Sequence, residues 1–252
     1  MSWLRYMTLA SFRHLNPDWE MRIYHCPTTN RKTWNTGESL DAQDYAGPDY
    51  SSRLISLNLQ RYEVEAPLPD LAPNYASDLW RFQYLGTAGG WYSDMDILWV
   101  RPMAALRRAT IHAGAVVCKT AGVIGVGFLA GEPNCKMWQG ICAAALDSFH
   151  PPDYQSAGVL PVHQHGDGLD GLRRLYPSTN LMDVPDATVY PWDYRQVDQI
   201  FGQRHTVPDN CIGIHWFGGH PESQKWNCLL TKETYHNYDN TFTYYANQVK
   251  PL

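Results

Sequence analysis

The chain has 252 residues, room for one large domain or two small ones, and its 44% apolar content with 18% charged residues is ordinary globular composition. A net charge of −5 with the positive residues scattered leaves no basic footprint for nucleic acid. Six cysteines without C-x-x-C spacing argue against a zinc site and for reduced thiols in the cytoplasm, and no membrane span is expected, since the most apolar stretch, Ile111 to Ala130, is broken by Lys119, Thr120 and glycines.

With no secretory n-region and h-region at its start, the sequence is expected to carry no leader. Ser2 is placed to cap a helix carrying Leu4, Met7, Phe12 and Leu15, which Asn16-Pro17-Asp18 ends. Trp19 to Ile23 alternates as a strand does, Pro27 to Pro48 reads as a long polar loop, and Ser51 to Arg61 is helical in pattern. After prolines at 67, 69 and 73 comes an amphipathic helix over Ser77 onward, a Gly89-Gly90 break, and a short aromatic strand ending in Asp94-Met95-Asp96 before the apolar run Ile97 to Val100. Strands are expected over Thr110–Cys118 and Val123–Ala130, then a helix from Asn134 to Ser148. Pro151 to Asn180 reads as loop with one short helix near Leu169 to Leu175. Short strands at Asp186–Tyr190 and Cys211–Trp216 and a terminal helix over Glu233–Val249 complete the pattern. Strands alternating with helices predict an α/β fold with parallel members, in one domain spanning residues 1–252.

The chemistry concentrates between Ser77 and Pro102. An Asp-x-Asp triplet by itself arises about once by chance in a chain this long. Here it interrupts apolar sequence, Trp91-Tyr92 before it and Ile97-Leu98-Trp99-Val100 after it. Two carboxylates in such a setting are costly unless a cation or hydrogen bonds compensate. Oxygen ligands suit Mn²⁺ or Mg²⁺, and such an ion suits a diphosphate. Within a strand, Asp94 and Asp96 would point to one side and Met95 to the other, so both acids could serve one ion. Asp78 and Arg81, three apart on the preceding helix, share a face. A third cluster runs from Gly213 to Trp226. His215 there is a candidate ligand for the cation or a phosphate, Ser223 and Lys225 could meet phosphate oxygens, and Trp226 could close a glycine-rich loop over the ligand as a lid. The 13% aromatic content fits stacking on sugars or bases.

The run S-D-L-W-R…G-G-W-Y-S-D-M-D resembles the DXD-motif sugar transferases of glycosyltransferase family 32. That family includes fungal initiating mannosyltransferases, bacterial capsular and phage-borne transferases, and relatives of the glucosylating toxin core. The resemblance implies a GT-A fold, a Rossmann-like mixed sheet flanked by helices. It also implies metal-dependent transfer of a hexose from a nucleotide-diphosphate sugar, with retention of configuration and a role in polysaccharide biosynthesis. A UDP-hexose is expected as donor ahead of GDP-mannose, and a saccharide or other hydroxyl is the expected acceptor. By the same resemblance Asp78 and Arg81 hold donor-sugar hydroxyls, Tyr92 is the aromatic before the first acid, and Asp94 and Asp96 bind the metal. His215, Ser223 and Trp226 match the late motif, with His215, His220 or Glu222 as the third ligand. Asp78, Arg81 and Asp96 are the expected catalytic residues. Family members usually open with an apolar strand ending in an I-H-x-I-W-type motif at the nucleotide pocket, whereas this chain starts in what should be the following helix. Weaker or narrower donor binding is therefore expected. A non-catalytic, degenerate nucleotide-sugar-binding homologue is the alternative, and a metal-dependent phosphohydrolase, disfavoured by the Asp-x-x-Arg helix, is a third reading.

Overall fold

The computed structural model describes residues 1–27, 45, 47–150 and 154–249. Almost all of the loop expected between Pro27 and Pro48 lies outside the described residues. Helix α1 (Trp3–Leu15) begins where expected, with the Ser2 hydroxyl accepting from the Arg5 N–H at 3.4 Å. It buries Trp3, Leu4, Tyr6, Met7 and Ala10, while its polar residues turn to neighbouring backbone. Thr8 Oγ1 donates to the Met95 carbonyl at 3.3 Å, Ser11 Oγ accepts from the Trp99 N–H at 3.1 Å, and Asn16 Oδ1 accepts from the Met103 N–H at 2.8 Å. These bonds satisfy backbone groups that burial would otherwise strand.

The next strand lies slightly later than its alternation suggests: β1 (Arg22–His25) pairs in parallel with β2 (Gln60–Glu63). The helix expected over Ser51 to Arg61 is instead a 3₁₀ segment, Ser51–Leu57. It buries only Leu54 and Leu57, and Asn58, in the left-handed region at φ 46°, ends it and releases the chain into β2. Helix α2 (Pro73–Thr87) starts with Pro73 in its first turn, where a missing N–H costs nothing. Gly89 has φ 69°, and a Cβ there would lie 2.6 to 2.8 Å from the backbone of Gly131, Glu132 and Pro133. Gly89 thus serves close approach to the end of β6, whereas Gly90, at φ 105°, has open space where a Cβ would stand.

Strands β3 (Gly90–Ser93) and β4 (Ile97–Trp99) follow, with Met95 and Asp96 in the turn between them. After the short helix α3 (Ala104–Ala109) come β5 (Ala115–Thr120), β6 (Val123–Gly131) and α4 (Lys136–Asp147). Two helices, α5 (Val159–Gly166) and α6 (Gly168–Leu175), occupy much of the stretch that reads as loop. Leu181–Val184 forms β7, one strand earlier than the sequence suggests. The expected strand over Asp186 to Tyr190 is a 3₁₀ turn, Asp186–Thr188, closed by the Tyr190 N–H on the Asp186 carbonyl at 2.9 Å. Helix α7 (Asp198–Phe201), β8 (Gly213–His215), α8 (Pro221–Leu229) and α9 (Thr241–Gln248) complete the chain. The terminal helix is half as long as expected because the Asn240 side chain caps it with a reciprocal capping box.

The class is α/β, with a mixed sheet flanked by helices. Its order is β3-β6-β5-β7, in which β5 and β7 run parallel and the other neighbours antiparallel; β4 pairs separately with β8. Both sheet faces are buried. Ala115, Val117, Ile124 and Leu129 face a core built with α2, α4 and α5, while Val116, Cys118, Phe128 and Ala130 face a second core built with α1, β4, β8 and α9. Ile124 and Leu129 share a face although they are five positions apart, an odd step that regular alternation would place on opposite faces. The reason is a bulge: consecutive Val117 and Cys118 pair with Leu129 and Gly125, leaving Val126, Gly127 and Phe128 without partners on β5.

Candidate active site

The bulge makes the site. It frees the Val126 carbonyl to accept from Arg81 Nη1 at 2.5 Å, while on the β3 side the Gly127 carbonyl extends the β3–β6 pairing by accepting from the Asp94 N–H at 2.8 Å. Helix α2 and the Asp-x-Asp turn are thereby tied to the same irregular strand. Asp94 follows the last residue of β3, as its place at a strand end predicts, but the triplet is a turn and not a strand. Strand alternation therefore does not bring the two acids together; the turn and β8 do. Ile97 pairs with His215, the Trp216 N–H donates to the Asp96 carbonyl at 2.8 Å, and the Gly218 N–H donates to Asp96 Oδ2 at 2.7 Å.

The result is one connected polar cluster. Arg81 donates to Asp78 Oδ1 in a tight ion pair, lies 3.4 Å from Asp94 Oδ1 and sits 4.5 Å over the Tyr92 ring. The Tyr92 hydroxyl donates to Asp94 Oδ1 at 2.6 Å and contacts Ser77 Oγ at 3.2 Å. His215 Nε2 lies 3.1 Å from Asp96 Oδ1 and 3.8 Å from Asp94 Oδ2, and ligand atoms of Asp94, Asp96 and His215 all fall within 4.8 Å of one another. Asp78, Arg81 and His215 are buried, whereas the Asp94 and Asp96 side chains keep 27% and 15% of their exposure. The cluster thus opens to solvent at the acid pair.

Burial and charge pull these groups in different directions. Burial pushes the Asp78 carboxyl up to about 6, against the attraction of Arg81, and nearby Asp94 adds to the rise. Burial also disfavours ionised Asp94, but Arg81, His215 and the Tyr92 hydroxyl outweigh it and hold its pKa below the usual carboxylate range. Burial alone would lower the pKa of His215; Asp96 and Asp94 reverse this and raise it. The cluster fits a hard divalent cation. Asp96 Oδ1 is a buried acceptor with no hydrogen bond among the described residues, and it faces an imidazole nitrogen and a second carboxylate.

Of the three candidates for a third ligand, only His215 joins the acids. His220 caps α8, its Nδ1 accepting from the Glu222 N–H at 3.1 Å, and Glu222 accepts from Trp226 Nε1 at 2.9 Å and pairs with Lys225 at 3.3 Å. The segment read as a glycine-rich lid is helical from Pro221, because proline in the first turn and a capping side chain before it start α8 there. Ser223 is fully buried and donates to the Trp216 carbonyl, joining α8 to the end of β8. The Lys225 side chain is 61% exposed beside Glu222, and Trp226 stacks on Phe201 at 5.7 Å with its edge toward Tyr238. Their contacts among the described residues thus lie away from the acid pair.

Two features that sequence reasoning assigns no site role stand beside the cluster. A Cβ on Gly127 would lie 2.6 Å from Asp94 Oδ2, 2.9 Å from His215 Nε2 and 3.0 Å from the Tyr190 hydroxyl, and a Cβ on Gly125 would lie 2.8 Å from that hydroxyl. Glycines inside a strand mark close approach of another group, and Gly125-Val126-Gly127 is the signal that could have found this wall. Nothing local flags Tyr190.

A family model described as "Glycosyltransferase sugar-binding region containing DXD motif" matches residues 8–113. No curated protein matches the chain. Among solved structures the chain is similar to one titled "PaToxG Glycosyltransferase", at 14% identity and a TM-score of 0.44, over 71% of this chain and 69% of that one, too distant to inform the site. No helix among the described residues is long and apolar enough to cross a membrane. The matched region contains most of α1, the Asp78–Arg81 helix, the double glycine and the acid pair, the same elements that build the cluster, and over that region the chain is similar to glycosyltransferases of the DXD type.

Proposed function

We propose that the protein transfers a hexose from a nucleotide-diphosphate sugar, UDP-hexose in preference to GDP-mannose, to a hydroxyl of a saccharide acceptor. The observation that carries this is the joining of two half-sites in one network: Asp94, Asp96 and His215 on one side, Asp78 and Arg81 on the other, with Asp94 bonded across both. Asp94, Asp96 and His215 would hold Mn²⁺ or Mg²⁺, which supplies Lewis-acid stabilisation of the departing diphosphate. Asp78 and Arg81 orient the sugar. Asp78 Oδ2 has no partner among the described residues, and a Cβ on Gly158 would approach it to 3.1 Å, so a small residue leaves room beside a buried acceptor that suits a sugar hydroxyl. The Tyr92 hydroxyl and Arg81 fix Asp94 Oδ1, leaving Oδ2 turned toward His215. Retention of configuration, membership of family 32 and a role in polysaccharide synthesis follow the resemblance carried by the Asp78-to-Asp96 motif. Six free cysteines suit a cytoplasmic protein, and the two cores that share one sheet favour a single domain over residues 1–252.

The test is incubation of the protein with a panel of nucleotide sugars and Mn²⁺, with and without chelator, reading released nucleotide. Chelator-sensitive release from one donor is expected. Silence across the panel with the fold intact would reject transfer and favour a binding protein.

A further inference from the structure

Tyr190 is a group that the proposed chemistry leaves unused. It is 6% exposed, its ring lies 5.0 Å from that of His215 and 6.2 Å from that of Phe217, and its backbone is pinned to Asp186. Its hydroxyl enters a slot that exists because β6 carries glycine at 125 and 127: a Cβ at either position would come within 3.0 Å of it. Among the described residues this hydroxyl makes no hydrogen bond, yet it is not among the sealed polar atoms such as Asp78 Oδ2. A buried phenol usually finds a hydrogen-bond partner, in protein, water or ligand.

We propose that the Tyr190 hydroxyl is a donor-binding group that hydrogen-bonds a phosphate oxygen of the nucleotide sugar, an assignment that rests on the transferase reading above. The position around Gly127 argues for phosphate over sugar. Asp94 Oδ2, His215 Nε2 and the Tyr190 hydroxyl converge there, all within 3.0 Å of one point. This is the face of Asp94 that would meet a cation, whereas Oδ1 faces Tyr92 and Arg81 on the Asp78 side. A ligand that reaches the acid pair through a cation brings anionic oxygens to this wall. A phenol carries a hydroxyl proton that it can present to such an oxygen. A hydrogen bond to a charged acceptor is of the stronger kind.

The experiment is Tyr190→Phe, which keeps the ring in its slot and removes only the oxygen. Thermal unfolding, binding of Mn²⁺ alone, and binding of UDP and GDP in the presence of Mn²⁺ are measured by calorimetry for both proteins. The expected result is unchanged unfolding and Mn²⁺ affinity, with UDP–Mn²⁺ binding weakened roughly ten-fold or more, the scale of one lost hydrogen bond to a charged partner. Equal UDP affinity in the two proteins overturns the assignment while leaving the transferase reading intact. Mn²⁺ affinity falling in step with UDP also overturns it, since Tyr190 would then act only by positioning Asp94. If the wild-type protein binds neither UDP nor GDP with Mn²⁺, the transferase reading fails, and the assignment with it.

Discussion

Replacing Gly127 with alanine isolates the geometry of the acid pair from the chemistry of its side chains. Gly127 has no positive φ, so alanine meets no backbone strain there, and at such a position the change ordinarily stabilises by about 0.4–1 kcal/mol through the unfolded chain. Here the added methyl would lie 2.6 Å from Asp94 Oδ2, where ordinary contact begins at 3.4 Å, so that oxygen must retreat by about 0.8 Å; His215 Nε2 and the Tyr190 hydroxyl must give by smaller amounts. All three atoms are ends of side chains, so the fold can absorb the methyl. Overpacking of about 1–3 kcal/mol outweighs the gain and leaves a net loss of roughly 1–2 kcal/mol. A metal site, by contrast, tolerates displacements of only about 0.5 Å. Calorimetric titration with Mn²⁺ should therefore show affinity reduced about 10–100-fold, the scale of disturbed ligand orientation, with nucleotide release falling in parallel and a native circular-dichroism spectrum. Wild-type Mn²⁺ affinity in a stabilised Gly127→Ala protein would refute the reasoning, because it would mean that neither Asp94 nor His215 needs the space the glycine leaves.

Asp96→Ala should abolish chelator-sensitive nucleotide release while the melting transition remains cooperative; persisting turnover would remove Asp96 from the metal site. Asp78 has a folded-state pKa of about 6 against an ordinary 3.8, so the folded protein holds its proton more tightly than the unfolded chain. Its contribution to stability is fully present below pH 3.8 and is lost as pH rises through about 6. Compared with Asp78→Asn by urea unfolding, the wild-type protein should lose about 2–3 kcal/mol between pH 4 and 7; a constant difference across that range would contradict the assignment. Ser11→Ala deprives the buried Trp99 N–H of its acceptor and should cost about 1–3 kcal/mol in the same assay, whereas a change below about 0.5 kcal/mol would mean that another group takes its place.

Several parts of the molecule were legible along the chain because their causes are local. Ser2 and Asn16 bracket α1, Asp78 and Arg81 fall on one helical face, Gly89-Gly90 breaks helix from strand, and the run from Val123 onward is long and apolar enough to be β6. Where pattern misled, a distant partner decided. Gln60 to Glu63 is extended because Arg22 to His25 lies alongside, and Leu181 to Val184 became a strand because β5 offered a parallel edge. Pro221 starts a helix in a segment dense with ligand-like residues, and that helix turns Ser223 inward and Trp226 onto Phe201.

The active-site cluster divides the same way. Sequence alone determined that two carboxylates sit at a strand end beside a helix bearing Asp78 and Arg81, since residues separated by a few positions are held together by the geometry of one element or one turn. Only the tertiary structure selected His215 over His220 and Glu222, because pairing of β8 with β4 brings residue 215 to residue 96 across more than a hundred positions of chain. It also decided that a bulge in β6 would present the Val126 carbonyl to Arg81, that pairing with β3 would bring the Gly127 carbonyl to Asp94, and that Tyr190 would enter the space left by two glycines. Those contacts depend on register and on the absence of side chains. Such properties belong to a pair of packed elements and to neither one alone.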